Sequence, residues 1–235
     1  MKKIFFSIAL VSATVAFAQK KEIAAAVKAI DAGDVAATNS QIAAAEVVMG
    51  GKTYLVEPAV LEQYYYAKGL ALLKSGKNAE GAAYLAKMSE LGKEKIYTGK
   101  DSSKTKVYYV GKAAADQSGI QGLKEDTYVP VLTSKIGNTI NPLIEAANKT
   151  AMNAYTAKNY AAAAPKFKEV YDLLKAGGQD NKQYLYYSGL NYALADKKNE
   201  AIEVYNELIN SGYTGVSTTY FAKNKKSGEV EPIDK

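Results

Sequence analysis

Gln183-Tyr184-Leu185-Tyr186-Tyr187-Ser188-Gly189-Leu190 repeats, 120 residues on, the stretch Gln63-Tyr64-Tyr65-Tyr66-Ala67-Lys68-Gly69-Leu70. The same offset pairs Lys77 with Lys197, Glu80 with Glu200 and Gly92 with Gly212, so a whole unit has been copied. Upstream the offset is 125, setting Ala154, Ala157, Ala161 and Ala162 against Ala29, Ala32, Ala36 and Ala37, and Phe167 against Ile42. The first half therefore holds five more residues, and the Gly50–Pro58 loop is where insertions are expected to sit. A repeated unit that cannot bury its own apolar face must stack on its neighbours.

Apolar spacing gives each unit its secondary structure. Ile23, Ala26, Val27 and Ile30, then Val35, Ile42, Ala45 and Met49, recur at helical intervals on either side of Asp31-Ala32-Gly33-Asp34. Two antiparallel helices joined by a tight turn follow, closed by Gly50-Gly51, as Gly177-Gly178 close a later helix. The next helix carries Tyr65, Gly69 and Leu72 and ends at Lys74-Ser75-Gly76-Lys77. Asn78 is placed to cap its partner, which buries Tyr84, Leu85 and Met88 and stops at Gly92. Helices of this length are marginal alone, so pairing must stabilise them.

The third unit places Tyr155, Asn159-Tyr160, Ala163, Phe167 and Val170 in order, and the fourth places Gly189, Tyr192, Ala201, Tyr205 and Leu208. The second has Gly69, Leu72, Gly81, Leu85 and Met88. This pattern resembles tetratricopeptide repeats, in which small residues let two helices of a hairpin approach while larger ones fill the space beside them. The resemblance implies an all-α solenoid of helical hairpins in two duplicated halves, each followed by a short aromatic strand or hairpin. The chain departs from the family in lacking tryptophan and closing prolines, in Thr38 where a small residue is expected, and in Pro165, which should kink or delay its helix.

The aromatic pieces are Tyr97-Thr98-Gly99 with Val107-Tyr108-Tyr109-Val110, and Tyr213-Thr214-Gly215 with Thr218-Thr219-Tyr220-Phe221. Both read equally as strands or as irregular loops. The resulting division is a signal peptide over 1–18, a first pair of repeats over 19–95, an appendage and linker over 96–141, a second pair over 142–212 and a C-terminal appendage over 213–235. This alternation is similar to that of exported tetratricopeptide proteins of Gram-negative bacteria. The ending Glu229-Val230-Glu231-Pro232-Ile233-Asp234-Lys235 is strand-like with no partner after it, as in a piece of a longer array, since solenoids usually finish in a polar capping helix.

Composition narrows the function. Lys2-Lys3, an apolar run from Ile4 to Phe17 and Ala16-Phe17-Ala18 form a cleavable export signal, too short to span a bilayer comfortably. The expected location is periplasmic, envelope-associated or extracellular, without stable membrane insertion once the signal is cleaved. With no cysteine there is no disulfide, thiolate site or lipid-bearing N-terminal cysteine. The net charge of +6 comes from 30 basic residues, all lysine, scattered among 24 acids. Without arginine's bidentate fork this argues for a solvated surface and against nucleic acid.

Without histidine or cysteine the usual acid–base, nucleophile and zinc arrangements are missing. Gly51-Lys52-Thr53 lacks the earlier glycine of a phosphate loop, Ser103-Lys104-Thr105-Lys106 sits in a polar loop, and Asp31-Ala32-Gly33-Asp34 has too few oxygens for calcium. The expectation is a non-enzymatic scaffold with no cofactor and no metal. Its partner would be a protein, presenting an extended peptide or a helix to a concave groove lined by the first helix of each pair. Gln63, Tyr66, Asn153, Gln183 and Tyr186 are the residues placed to line it. Two roles fit Tyr66 and Tyr186, contact with a partner or packing between units. The alternative is a small-molecule or glycan binder using its tyrosine-rich surfaces.

Overall fold

The computed structural model describes residues 19–216, 220–223, 225 and 228–233. The expected signal peptide over 1–18 lies outside them, as do Thr218 and Thr219. The chain is mostly helical with a small three-stranded sheet. Helix α1 spans described residues 19–31, followed by α2 (Val35–Met49), α3 (Pro58–Lys74) and α4 (Asn78–Lys93). Next come β1 (Ile96–Lys100), β2 (Lys106–Val110), a short α5 (Lys112–Gln117) and β3 (Lys124–Asp126). Four more helices, α6 (Gly137–Thr156), α7 (Tyr160–Ala176), α8 (Lys182–Leu194) and α9 (Lys198–Asn210), precede β4 (Tyr220–Lys223) and β5 (Val230–Ile233).

One turn geometry joins the helices of all four hairpins. The second residue after the first helix is left-handed, Gly33 at φ 81°, Gly76 at 76°, Lys158 at 58° and Asp196 at 57°. In each turn its N–H returns to the carbonyl three residues back, and the next N–H to the carbonyl five back, as in Gly76 to Leu73 and Lys77 to Leu72. These bonds satisfy the carbonyls a helix end leaves open. Asp34 and Asn159 then cap the following helices, accepting from Ala37 and Ala162 at 2.8 and 3.3 Å.

Glycine sets the closeness of the α3–α4 pair. A Cβ at Gly81 would lie 2.8 Å from the Gly69 carbonyl oxygen, and one at Gly69 would lie 2.7 Å from Leu85 Cγ. At Gly189 it would meet the Tyr205 ring at 2.8 Å. Small residues thus admit the facing helix, and Leu85 or Tyr205 fills the space.

Several local expectations need correction. Asn78 is the first residue of α4 rather than its cap, because its amide Nδ2 reaches across to Glu169 Oε1 at 2.6 Å. Gly92 does not end α4, which runs to Lys93; a Cβ there would press on Pro130 Cδ at 2.6 Å. Pro165 neither delays nor interrupts α7, which starts at Tyr160 and continues to Ala176. Helix α6 begins at Gly137, inside the stretch expected as linker, and buries Ile140. The extra residues of the first half are not all in the loop: it is eight residues long against five between α7 and α8, while α3 has 17 residues against 13 in α8 and α2 has two fewer than α7.

The first aromatic piece forms strands; of the second, Tyr213-Thr214-Gly215 is irregular and Tyr220-Phe221 begin a strand. Antiparallel β1 and β2 set Tyr97 opposite Tyr109 and Thr98 opposite Tyr108, and β3 pairs on the other edge of β1. Buried Ile96, with Tyr108 and Val110, fixes this sheet to the helical core. The C-terminal strand is not partnerless: β5 pairs antiparallel with β4, Val230 opposite Lys223.

The halves meet where α4 packs on α7, the second helices of their pairs. Leu173 and Ala176 of α7 join the buried cluster that holds Ala82, Leu85 and Leu91 of α4, and Ser89 Oγ donates to the Ala176 carbonyl at 2.9 Å.

Candidate partner-binding site

Helix α3 is buried on almost every side, including Val60, Leu61, Tyr64, Tyr66, Ala67 and Leu70. Helices α2 and α4 account for two of those sides. The third is covered by the chain itself, through the segment 127–136, irregular up to Leu132 and then a single 3-10 turn at Thr133–Lys135, that leads into α6. Glu62, 1% exposed, holds that segment with both carboxylate oxygens. Tyr128 Oη donates to Oε2 at 2.5 Å and the Leu132 backbone N–H donates to Oε1 at 2.6 Å. Burial first, then the bond to Glu62 and its charge, holds the Tyr128 hydroxyl well above the ordinary tyrosine range. Further along, Pro130 rests against Gly92 and Ile136 is buried in the core.

Tyr66 belongs to this covered face. It is 3% exposed, its hydroxyl donates to Asp31 Oδ1 at 2.6 Å, and the Lys135 ammonium stands 6.0 Å from its ring centroid. Lys135 also pairs with Asp31 at 3.4 Å. Of the two roles open to Tyr66, packing is the one observed. Gln63, beside it, is half-buried.

In the second half the corresponding positions are open. Tyr186 is 40% exposed, and Gln183 on the same helix is exposed, its Nε2 donating to Tyr187 Oη at 2.6 Å. Asn153 is exposed on α6, next to exposed Met152. Ala151 and Ala154 of α6 and Tyr184 and Tyr187 of α8 all pack into one cluster with Phe167 of α7. Gln183 and Tyr186 thus lie on α8 and Asn153 on α6, while Gln63 and Tyr66 lie on α3. Where α3 carries Glu62, α8 carries Lys182, which bonds the Ser211 carbonyl at 3.2 Å and pairs with Asp180 at 3.1 Å.

The sequence reading missed Glu62 and segment 127–136. The available signals were an acid following Val60-Leu61 and the apolar run Tyr128-Val129-Pro130-Val131-Leu132 within a polar linker. Neither signal names the other as its partner.

A second polar cluster lies between α2, α3 and α4. Glu46 accepts from Tyr64 Oη at 2.6 Å and from Lys68 Nζ, and Lys68 stands 4.4 Å from the Tyr84 ring centroid. Burial would raise the Glu46 carboxyl, but hydrogen bonds from Lys68 and Tyr64 and the Lys68 charge outweigh it and hold the group below its usual range. Burial, then the bond to Glu46, pushes the Tyr64 hydroxyl far above the tyrosine range. A hydroxyl so held is a poor base or nucleophile at neutral pH, and the cluster serves as a polar rivet across three helices.

Among the described residues, no group of three His, Cys, Asp or Glu is placed to hold a metal ion, and no helix is long and apolar enough to cross a membrane. The fold and this site define a mostly helical protein that covers one of its own helix faces and leaves the matching one open. No family model matches the chain, and no curated protein or solved structure is significantly similar to it.

Proposed function

We propose that the chain is an exported, non-enzymatic, tetratricopeptide-like scaffold that binds another protein in the bacterial cell envelope through α6 and α8. One observation carries the reading. The face of α3 is filled by a non-helical stretch of the chain itself that ends in a 3-10 turn, while on α8 at the same sequence offset Gln183 and Tyr186 are exposed. A helix face that takes up segment 127–136 within the molecule supports a peptide as the ligand of its counterpart, with Tyr186 and Gln183 on α8 and Asn153 on α6 as the contacts. Tyrosine offers a large rigid surface with one hydroxyl at low entropic cost. Export follows from residues 1–18, and the solenoid arrangement from the duplicated spacing.

The test is photo-crosslinking in intact cells, with a photoreactive phenylalanine analogue at Tyr186, at Asn153 or at buried Tyr66. The same protein adduct at 186 and 153, absent at 66, is the expected result. No adduct at 186 or 153 in any envelope fraction overturns the site.

A second reading, a small-molecule or glycan binder, is favoured by the cleft where Tyr54, Tyr65, Tyr108 and Tyr109 converge. Against it, Tyr54 and Tyr109 stack on each other at 5.6 Å, so two ring faces are already used. A consistent rise in melting temperature with one class of sugar or apolar compound would support it.

A further inference from the structure

The α4–α7 junction has outward-facing counterparts at both ends of the described helices. Helix α9 stands to α4 at an offset of 120, which sets Ile202 at the place of Ala82 and Ile209 at the place of Ser89. Ala82 and Ser89 are buried, and Ser89 bonds α7; Ile202 and Ile209 are 57% and 70% exposed. Two isoleucines two turns apart on one exposed helix face form a stripe suited to another helix. At the other end, α2 stands to α7 at an offset of 125, so Ala44 takes the place of Glu169 and Val47 that of Asp172. Ser40 and Ala44 are exposed and Val47 is 83% exposed. The only charge on α2 is Glu46, whose carboxylate is held by Tyr64 and Lys68.

The two exposed faces differ in make-up. On α9 the stripe is Ile202 and Ile209, and on α2 it is Val47 with small Ser40 and Ala44 on the same side. Small residues let a facing helix approach and larger ones fill the space beside them. Each copy thus carries two apolar helix faces, and they are different surfaces.

We infer that α9 of one copy docks on α2 of a second, repeating head to tail the α4–α7 contact that joins the halves. The inference rests on reading the halves as copies of one unit, and it is independent of the peptide face at Tyr186. An interface between two different surfaces does not close as a two-fold dimer does, so association proceeds to chains or rings.

Sedimentation velocity on residues 19–235 across a concentration series, up to about 1 mM at the weak end of specific association, tests this. The weight-average mass is expected to rise with concentration past that of a dimer. Ile209→Glu damages only the α9 face and Val47→Glu only the α2 face, so each variant alone stays monomeric. Mixed together they form a one-to-one dimer and nothing larger, because each supplies the face the other lacks. Ile202→Lys is the second variant if Ile209→Glu fails to fold, checked by its helical circular dichroism. A wild type that stays monomeric overturns the inference, whatever segment or partner covers the two faces instead. Association that stops at a dimer, or a mixture that fails to assemble while the wild type does, overturns it as well. Tyr186→Ala serves as the control. It leaves the mass distribution unchanged, so loss of the peptide site and loss of self-association are read separately.

Discussion

Replacing Glu62 with alanine should free segment 127–136 from α3 before it unfolds anything else. The carboxylate takes two donors, Tyr128 Oη at 2.5 Å and the Leu132 N–H at 2.6 Å, both neutral. Hydrogen bonds to a charged acceptor contribute about 1.5–3 kcal/mol each. Against this stands the desolvation of a carboxylate that is 1% exposed, several kcal/mol in its own right, which the substitution relieves. Alanine also leaves a void and two unsatisfied donors. The net loss expected is about 2–3 kcal/mol, and it falls first on the segment, because its donors can recover by turning to water while the helices stay paired. Glu62→Gln is much milder, at about 1 kcal/mol. Its carbonyl keeps Leu132, and its amide can donate to Tyr128, whose hydroxyl accepts as well as donates.

Native-state hydrogen exchange at Leu132, beside urea unfolding of the whole chain, measures both levels. In Glu62→Ala the Leu132 amide should exchange roughly 100-fold faster while amides of the α3–α4 pair slow or quicken far less. Tyr128→Phe should cost less in the Glu62→Gln background than in the wild type, the difference being the coupling of the pair. Unchanged protection at Leu132 in Glu62→Ala, or a glutamine variant as damaged as the alanine one, would refute the role of Glu62 as the pin.

Three further outcomes follow from single positions. Gly81→Ala gains about 1 kcal/mol of helix propensity but puts a Cβ 2.8 Å from the Gly69 carbonyl, and overpacking of about 1–3 kcal/mol should win; an unchanged or higher urea midpoint contradicts it. Lys158→Gly removes a left-handed strain at φ 58° of about 1–2 kcal/mol for about 0.5–1 kcal/mol of glycine entropy, so the midpoint should rise, with Gly76→Lys lowering it as the converse. Burial first raises the Asp172 carboxyl, with Lys168 opposing and Glu207 adding to the rise. A carboxyl raised on folding gives stability that is full below its unfolded pKa and lost as pH rises through the folded one. Midpoints taken between about pH 3.5 and 6 should therefore show a more positive slope with pH in Asp172→Asn than in the wild type; equal slopes would exclude the effect.

The helices were legible because their signals are local. Glycine after a helix, an aspartate or asparagine ahead of one and apolar residues at helical spacing act within a few residues of the structure they cause. The same rules failed where a side chain answered to a distant segment. Asn78 looked like a cap and instead reaches Glu169, 91 residues away. Gly92 looked like a terminator, yet it is the place where Pro130 must fit. Glu62 bonds across 66 and 70 residues to Tyr128 and Leu132, and no spacing in one chain announces such a pair.

The repeated spacing limited the reading of the site. An offset of 120 aligns Tyr66 with Tyr186 and Gln63 with Gln183, and it assigns each pair one role. Burial depends on what arrives from elsewhere, and here the arrivals differ. Segment 127–136 needs a carboxylate to receive its donors, and α3 supplies Glu62; α8 has Lys182 there, an ammonium that cannot accept. A second copy of that segment would meet donor with donor on α8. A partner of the kind proposed for α8 would therefore bring acceptors toward Lys182 or leave it to Ser211 and Asp180, and would use Gln183 and Tyr186 for its own bonds. Peptides with a carbonyl or carboxylate at the position of the Leu132 N–H are the ones to try first at this face, and the unaltered 127–136 sequence supplied in trans should not bind it.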